Sequence, residues 1–207
     1  LPYQIRSSNE RAIEASLIRH CQATVTRVCL KDDLTIILKT IKELHDKNDT
    51  VILSGGVSMG DYDFVPQALR NLSAKTIFHR IEQKPGRPMW FGVSEDRKPI
   101  FGLPGNPVST LVCLTRYVIP ALKHAMGLNI TNQETVRLTK EILFEADLTY
   151  FLPVELSSDE DGVALAKPRT TNTSGDFISL ARTEGFVELP RGQNRFSEGT
   201  SARLFRW

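Results

Sequence analysis

Ser54-Gly55-Gly56-Val57-Ser58-Met59-Gly60-Asp61-Tyr62-Asp63 follows the apolar run Val51-Ile52-Leu53 and precedes a helical pattern. Further along, Pro99-Ile100-Phe101 leads into Gly102-Leu103-Pro104-Gly105-Asn106-Pro107-Val108-Ser109, again ahead of a helical pattern. Strand, glycine loop and helix in succession mark βαβ units. Loops at the carboxyl ends of strands in an open α/β sheet converge on one crevice, and ligands bind there. Glycine lets the backbone approach a ligand closely, and a following helix offers N–H groups to an anion. Two such loops predict an α/β domain that holds a phosphate-bearing small molecule.

The surrounding pattern extends this reading. Tyr3-Gln4-Ile5 reads as the end of a strand, and Asn9 caps a helix running to about Cys21. Thr24 to Leu30 is β-branched and alternating, which predicts a strand. Asp32 is the expected N-cap of a helix with Leu34, Ile37, Leu38, Ile41 and Leu44 inward. A helix through Val65, Ala68, Leu69 and Leu72 follows the first glycine loop, and Ile77 to Ile81 is the next strand. Lys84-Pro85-Gly86-Arg87-Pro88 is a turn leading into Met89 to Val93, and Glu95-Asp96-Arg97-Lys98 is a hairpin turn back to Ile100-Phe101. A long helix runs from Val108 to about Met126, with Pro107 suited to its first turn.

After the polar stretch Gly127 to Gln133, the best linker candidate, the pattern changes. Val136 to Phe144, Tyr150 to Leu156, Val163 to Lys167, Phe186 to Leu189 and Ala202 to Phe205 are short alternating strands, interrupted by one helix over about Asp176 to Arg182. The expectation is an α/β domain over 1–128 and a small β-rich domain over 134–207.

At 207 residues the chain has room for one large or two modest cores. A net charge of +2 gives no general attraction to nucleic acid or to an anionic membrane, and no apolar stretch approaches a membrane span. Cys21, Cys29 and Cys113 have no CxxC spacing and read as free thiols of a reducing cytoplasm, as small buried hydrophobes. The four histidines are scattered. GxGxxG, a Walker lysine and a Ser/His/Asp arrangement are all missing, which argues against dinucleotide, P-loop and nucleophilic chemistry. The chain opens Leu1-Pro2-Tyr3 without methionine, which suggests a piece of a longer protein.

Ser54 to Asp63, Lys84 to Pro88 and Phe101 to Ser109, in that order, make the chain resemble the molybdopterin molybdotransferase family, which includes MoeA and the gephyrin E domain. Ser174-Gly175-Asp176 with Ser179-Leu180-Ala181-Arg182 and Gly185 is similar to that family's C-terminal β domain. The resemblance implies a MogA-like three-layer α/β domain with a mostly parallel sheet, followed by a small β domain, without the family's two N-terminal domains. It also implies a homodimer in which the partner's N-terminal domain completes the cleft, so that this chain holds one wall of the site and is inactive alone. Two departures stand out. Ser7-Ser8-Asn9 lacks the acid of the family's Asp-Ser/Thr-Asn turn, and Arg87 replaces a lysine. A guanidinium keeps the charge and adds a bidentate grip on phosphate.

Each candidate residue also has a plainer role. Gly55, Gly56 and Gly60 are turn glycines or, with Ser54 and Ser58, a seat for a phosphate or a pterin edge. Asp61 and Asp63 complement a helix dipole or, facing a bound phosphate, hold Mg²⁺ between themselves and that phosphate; the resemblance marks Asp63 as the essential acid. Asp32 is a cap, and its place at a strand end would also bring it to the rim of Asp63. Lys84 and Arg87 are surface charge or the neutralisers of molybdate and the pterin phosphate. Asn106 caps the long helix or, between Gly105 and Pro107, reads the pterin's polar edge; Pro104 is counted with that loop, and Asn9, besides capping its helix, is a further substrate contact that the resemblance implies. Ser109 and Thr110 cap or donate hydroxyls; Ser174 and Arg182 extend the basic pocket.

The resemblance implies Mg²⁺-dependent insertion of molybdate into adenylated molybdopterin with release of AMP, with a MogA-type adenylyltransferase as a possible partner. The alternatives are a MogA-type molybdopterin adenylyltransferase, which residues 134–207 speak against, and a gephyrin-like binding or scaffold module.

Overall fold

The computed structural model describes residues 8–30, 33–56, 65–128, 133–169 and 178–207. They fall into two compact units, Leu1–Ile81 with Pro88–Asn106 and Glu82–Arg87 with Pro107–Trp207. The helical run that begins at Pro107 therefore groups with the C-terminal strands.

In the first unit, α1 (Asn9–Cys21) buries Ile13, Leu17 and Cys21, and α2 (Leu34–Lys47) buries Ile37, Ile41 and His45. Both sets recur every four residues, the spacing that puts side chains on one helical face. The cap of α2 is Asp33 rather than Asp32: its carboxylate accepts from Ile36 N at 3.0 Å, three residues on, as N-cap geometry requires. β1 (Val51–Ser54), α3 (Val65–Asn71), β2 (Lys75–His79), β4 (Trp90–Val93) and β5 (Pro99–Leu103) complete the unit, and the two-residue β3 (Gln83–Lys84) belongs to the other one. The strands order β1-β5-β4-β2, with Val51, Leu69, Trp90 and Ile100 packed together and Ile37, Ile41 and Ala68 in a second cluster.

That sheet is mixed, not mostly parallel. β1 and β5 run parallel, while β5–β4 and β4–β2 are antiparallel. The turn closed by Ser94 N on Lys98 O leaves no room for a crossover, so β4 and β5 form a hairpin. Thr24 to Leu30 carries no strand. Its β-branched residues fit a pleated surface, but Val28 is 45% exposed, and strand propensity without a buried face and a partner does not make a ladder. The expected strand at Tyr3 to Ile5 lies outside the described residues.

In the second unit, α4 (Pro107–Cys113), a π turn over Leu114–Val118 and α5 (Ile119–Ala125) form one helical run. Pro120 has no N–H to offer the preceding turn, and the widened turn lies just before it, with Ile119 N reaching Leu114 O. β6 (Thr135–Leu138), β7 (Ile142–Leu143), β8 (Thr149–Ser158), β9 (Ala164–Pro168), β10 (Gly185–Leu189), β11 (Arg195–Phe196) and β12 (Ser201–Arg206) follow, with a 3₁₀ turn at Ile178–Arg182. The expected strand Val136 to Phe144 is thus two short ones.

Pairing runs β10–β12–β6–β9–β8 and returns from β8 to β10, a closed ring. Closure removes exposed edges. Val136, Leu138, Leu152, Val154, Val187 and Leu204 share its core. Outside the ring, β3 pairs in parallel with β8, Lys84 opposite Tyr150. No described helix is long and apolar enough to cross a membrane.

Candidate functional site

In the first unit, β1 and β5 are parallel neighbours with Ser54 opposite Leu103, so both glycine loops leave the same edge of the sheet. Gly55 N donates to Leu103 O at 3.1 Å, and a Cβ placed on Gly105 would lie 3.5 Å from Gly55 Cα. Gly55 and Gly56 have φ of +86° and +66°, a region that glycine enters without the steric penalty of a side chain. Asn9, at the start of α1, fastens the rim: its Nδ2 donates to Ser54 Oγ at 2.9 Å and to Gly105 O at 2.8 Å. The structure therefore brings together Asn9, Ser54, Gly55 and Gly105, with Pro104 buried and Asn106 half-buried beside them. Because the Gly55 N–H is committed to β5, this glycine contributes shape rather than a donor.

Asp32, Ser58, Gly60, Asp61, Asp63 and Ser174 lie outside the described residues. Among the described residues, no group of three or more His, Cys, Asp or Glu side chains is arranged to hold a metal ion.

In the second unit, the Lys84–Arg87 turn is exposed at both cations. Lys84 Nζ lies 5.8 Å from the centre of the Phe144 ring, which stacks on Tyr150 at 4.2 Å. The electron-rich face of an aromatic ring attracts an ammonium group, so this stack gives Lys84 a preferred resting place. Arg87 Nη2 pairs with Glu82 at 3.2 Å. Arg191 pairs with Asp147; its guanidinium holds the Asp147 carboxyl below the usual carboxylate range. Ser109 and Thr110 are buried in α4, and Pro107 is its first residue. Arg182 is exposed and near enough to Glu155 to help keep that carboxyl ionised, after the larger contribution of Arg169.

Three further residues support the turn from below. Tyr117 OH donates to Gln83 Oε1 at 2.5 Å, Gln83 Nε2 donates to Pro85 O at 2.9 Å and to Cys113 Sγ at 3.6 Å, and Cys113 Sγ donates to Gly86 O at 3.6 Å. Burial pushes the Cys113 thiol up to about 12, against a smaller opposing pull from Gln83. Burial likewise pushes the Tyr117 phenol up to about 12. Both groups stay protonated donors at neutral pH. In the sequence Cys113 reads as a small hydrophobe, and no motif singles out Gln83, Tyr117 or Phe144. Only the adjacency of Gln83 to Lys84 hinted at the arrangement.

Residues 1–124 match the family described as a probable molybdopterin binding domain, and residues 135–205 match the MoeA C-terminal region (domain IV). A molybdopterin molybdenumtransferase of Synechocystis sp. is 36% identical over 99% of this chain and 50% of its own length. One from Nostoc sp. is 32% identical over 96% of this chain and 47% of its own length. The crystal structure of a MoeA molybdopterin biosynthesis protein from Pyrococcus horikoshii superposes with a TM-score of 0.80 at 29% identity, covering 100% of this chain and 49% of that one. The chain spans about half the length of the curated relatives it matches. With a family match over most of its length and the paired glycine loops seated on adjacent parallel strands, the chain belongs to the molybdopterin-binding domain family, in the form that continues into a MoeA C-terminal region.

Proposed function

We propose that this chain is part of a molybdopterin molybdotransferase, which takes adenylated molybdopterin and molybdate and releases AMP. The observation that carries the reading is the rim built from Ser54, Gly55 and Gly105 and tied by Asn9. Gly55 and Gly105 carry no side chains where the two loops come into contact, which leaves room for a flat ring system to approach the backbone. The proposed substrate contacts are Asn9, Ser54, Gly56, Ser58, Gly60, Pro104, Gly105, Asn106 and Pro107, on the α/β module of residues 1–128, with 134–207 as the β module. Ser109, being buried, is assigned to packing in this reading.

Lys84 and Arg87 are the proposed anion clamp. Two cations beside a rigid turn gather two mutually repelling anions, molybdate and a phosphate, and hold them in reacting position. In the reaction, water cleaves the phosphoanhydride between AMP and the pterin phosphate, AMP leaves, and the two dithiolene thiols displace two oxygens of molybdate, which depart as water. Asp63, with Asp61, is proposed to hold Mg²⁺, whose positive charge would offset the repulsion between these carboxylates and a phosphate, and Asp32 is proposed to stand nearby; these three rest on sequence alone. A homodimer, a cytoplasmic location and an adenylyltransferase supplying the substrate belong to the same proposal. A MogA-type adenylyltransferase is the weaker reading, because residues 135–205 match the MoeA C-terminal region.

The test is AMP release by the full-length protein given adenylated molybdopterin and molybdate, with Lys84→Gln/Arg87→Gln alongside. The reading expects turnover in wild type and a drop of about a hundredfold or more in the double variant, together with a weaker salt dependence of molybdate binding. Pterin binding without AMP release would leave a scaffold instead.

A further inference from the structure

We propose that Tyr117, Gln83 and Cys113 are positioning residues for the Lys84–Arg87 turn: a buried hydrogen-bonded chain that fixes where the two cations stand. This rests on the reading of that turn as an anion clamp. Gln83 is 1% exposed, and its amide makes three hydrogen bonds, to Tyr117, Pro85 and Cys113. The Pro85 carbonyl accepts only, so it orients the amide, and Tyr117 must then donate to the other end. Burial keeps Tyr117 and Cys113 protonated, consistent with both directions.

A generic polar plug in a core need not touch a functional loop. This one ends on the carbonyls of Pro85 and Gly86, the two residues between Lys84 and Arg87. Gly86 has φ +95°, and a Cβ there would sit 2.6 Å from Cys113 Sγ and 2.7 Å from Gln83 Nε2. The turn is thus pressed onto the chain at a distance that only glycine allows. Its other side is held by β8, through Thr149 N on Glu82 O and the pairing of Lys84 with Tyr150. Tyr117 reaches Gln83 from the π turn Leu114–Val118. One added residue in a helical turn rotates the side chains after it by about 100° relative to those before it. The widened turn therefore sets the direction in which Tyr117 points.

The experiment uses the full-length protein with molybdate alone as probe, titrated at several salt concentrations, and hydrogen exchange read on peptides covering 84–88. Tyr117→Phe removes only the hydroxyl. The expected result is molybdate affinity reduced about tenfold, the scale of one lost hydrogen bond to a positioned group. The salt slope stays that of wild type, because both cations remain, and exchange rises at 84–88 while the rest of the protein keeps its protection. Cys113→Ser, which keeps a donor for Gly86, stays near wild type, and Cys113→Ala follows Tyr117→Phe. Wild-type affinity and loop exchange in Tyr117→Phe would overturn the proposal, as would exchange that rises equally everywhere. Equal molybdate affinity in wild type and Lys84→Gln/Arg87→Gln would instead overturn the anion reading, and exchange at 84–88 in Tyr117→Phe then decides the positioning role alone.

Discussion

Asn9 donates its side-chain amide to the hydroxyl of Ser54 at 2.9 Å, across 45 residues of sequence. The same nitrogen reaches Gly105 O, 96 residues away. One amide at the start of a helix therefore joins the ends of two parallel strands, and the edge where the family's substrate is proposed to bind is held by a residue that propensity alone describes as a cap.

Removing that tie should be measurable apart from any catalysis. Asn9→Ala deletes both bonds while leaving the helix start intact. A typical net value is about 0.5–1.5 kcal/mol per hydrogen bond, so the expected loss is roughly 1–2 kcal/mol at a site open to water. A lower urea midpoint with an unchanged m-value is the expected outcome. An unchanged midpoint would reduce the contact to an incidental one.

Gly86 and Gly192 separate crowding from backbone strain. Both have positive φ, +95° and +86°, but a Cβ on Gly86 collides with Cys113 and Gln83, whereas Gly192 has open space around it. Gly192→Ala should lose about 1–2 kcal/mol from the left-handed conformation alone. Gly86→Ala adds overpacking of about 1–3 kcal/mol on top. The paired thermal melts should differ clearly, with Gly86→Ala the less stable. Equal melting temperatures would mean that the turn can lift off its support freely.

The alkaline limb of stability should carry the signature of Cys113 and Tyr117. Both folded pKa values are raised to about 12, from 9.0 and 10.0 respectively, by burial. Between those limits the unfolded chain loses protons that the folded chain keeps, so stability is intact below pH 9 and falls as pH rises toward 12. Cys113→Ser and Tyr117→Phe each remove one titrating group. Urea midpoints for wild type and the variants between pH 8 and 11.5, about the range these values span, should show a shallower decline in each variant. Parallel declines would show that neither group is buried as described.

Local patterns made much of the first unit readable. Val51-Ile52-Leu53 and Pro99-Ile100-Phe101 are short apolar runs bounded by glycine, and Glu95 to Lys98 is a polar turn between them and Met89 to Val93. The structure has strands at these places and a hairpin at that turn. The same hairpin is why the sheet is mixed, a consequence the family resemblance obscured. Thr24 to Leu30 misled because β-branched composition reports what a pleated surface accepts, not whether a neighbour is present. The pairing of Lys84 with Tyr150 rests on a two-residue strand, too short to have a period. Tyr117 on Gln83 depends on a helix widened by one residue, a tertiary detail that no spacing rule encodes. Burial of Cys113 was readable from its apolar surroundings; its hydrogen bonds were not.

The most direct test of the account is a crystal structure of the full-length protein soaked with adenylated molybdopterin. The account predicts the pterin at the edge where β1 and β5 end, within hydrogen-bonding reach of Ser54 or Asn106 and in contact with Gly105. Well-defined ligand density elsewhere, with the rim of Asn9, Ser54 and Gly105 empty, would contradict it.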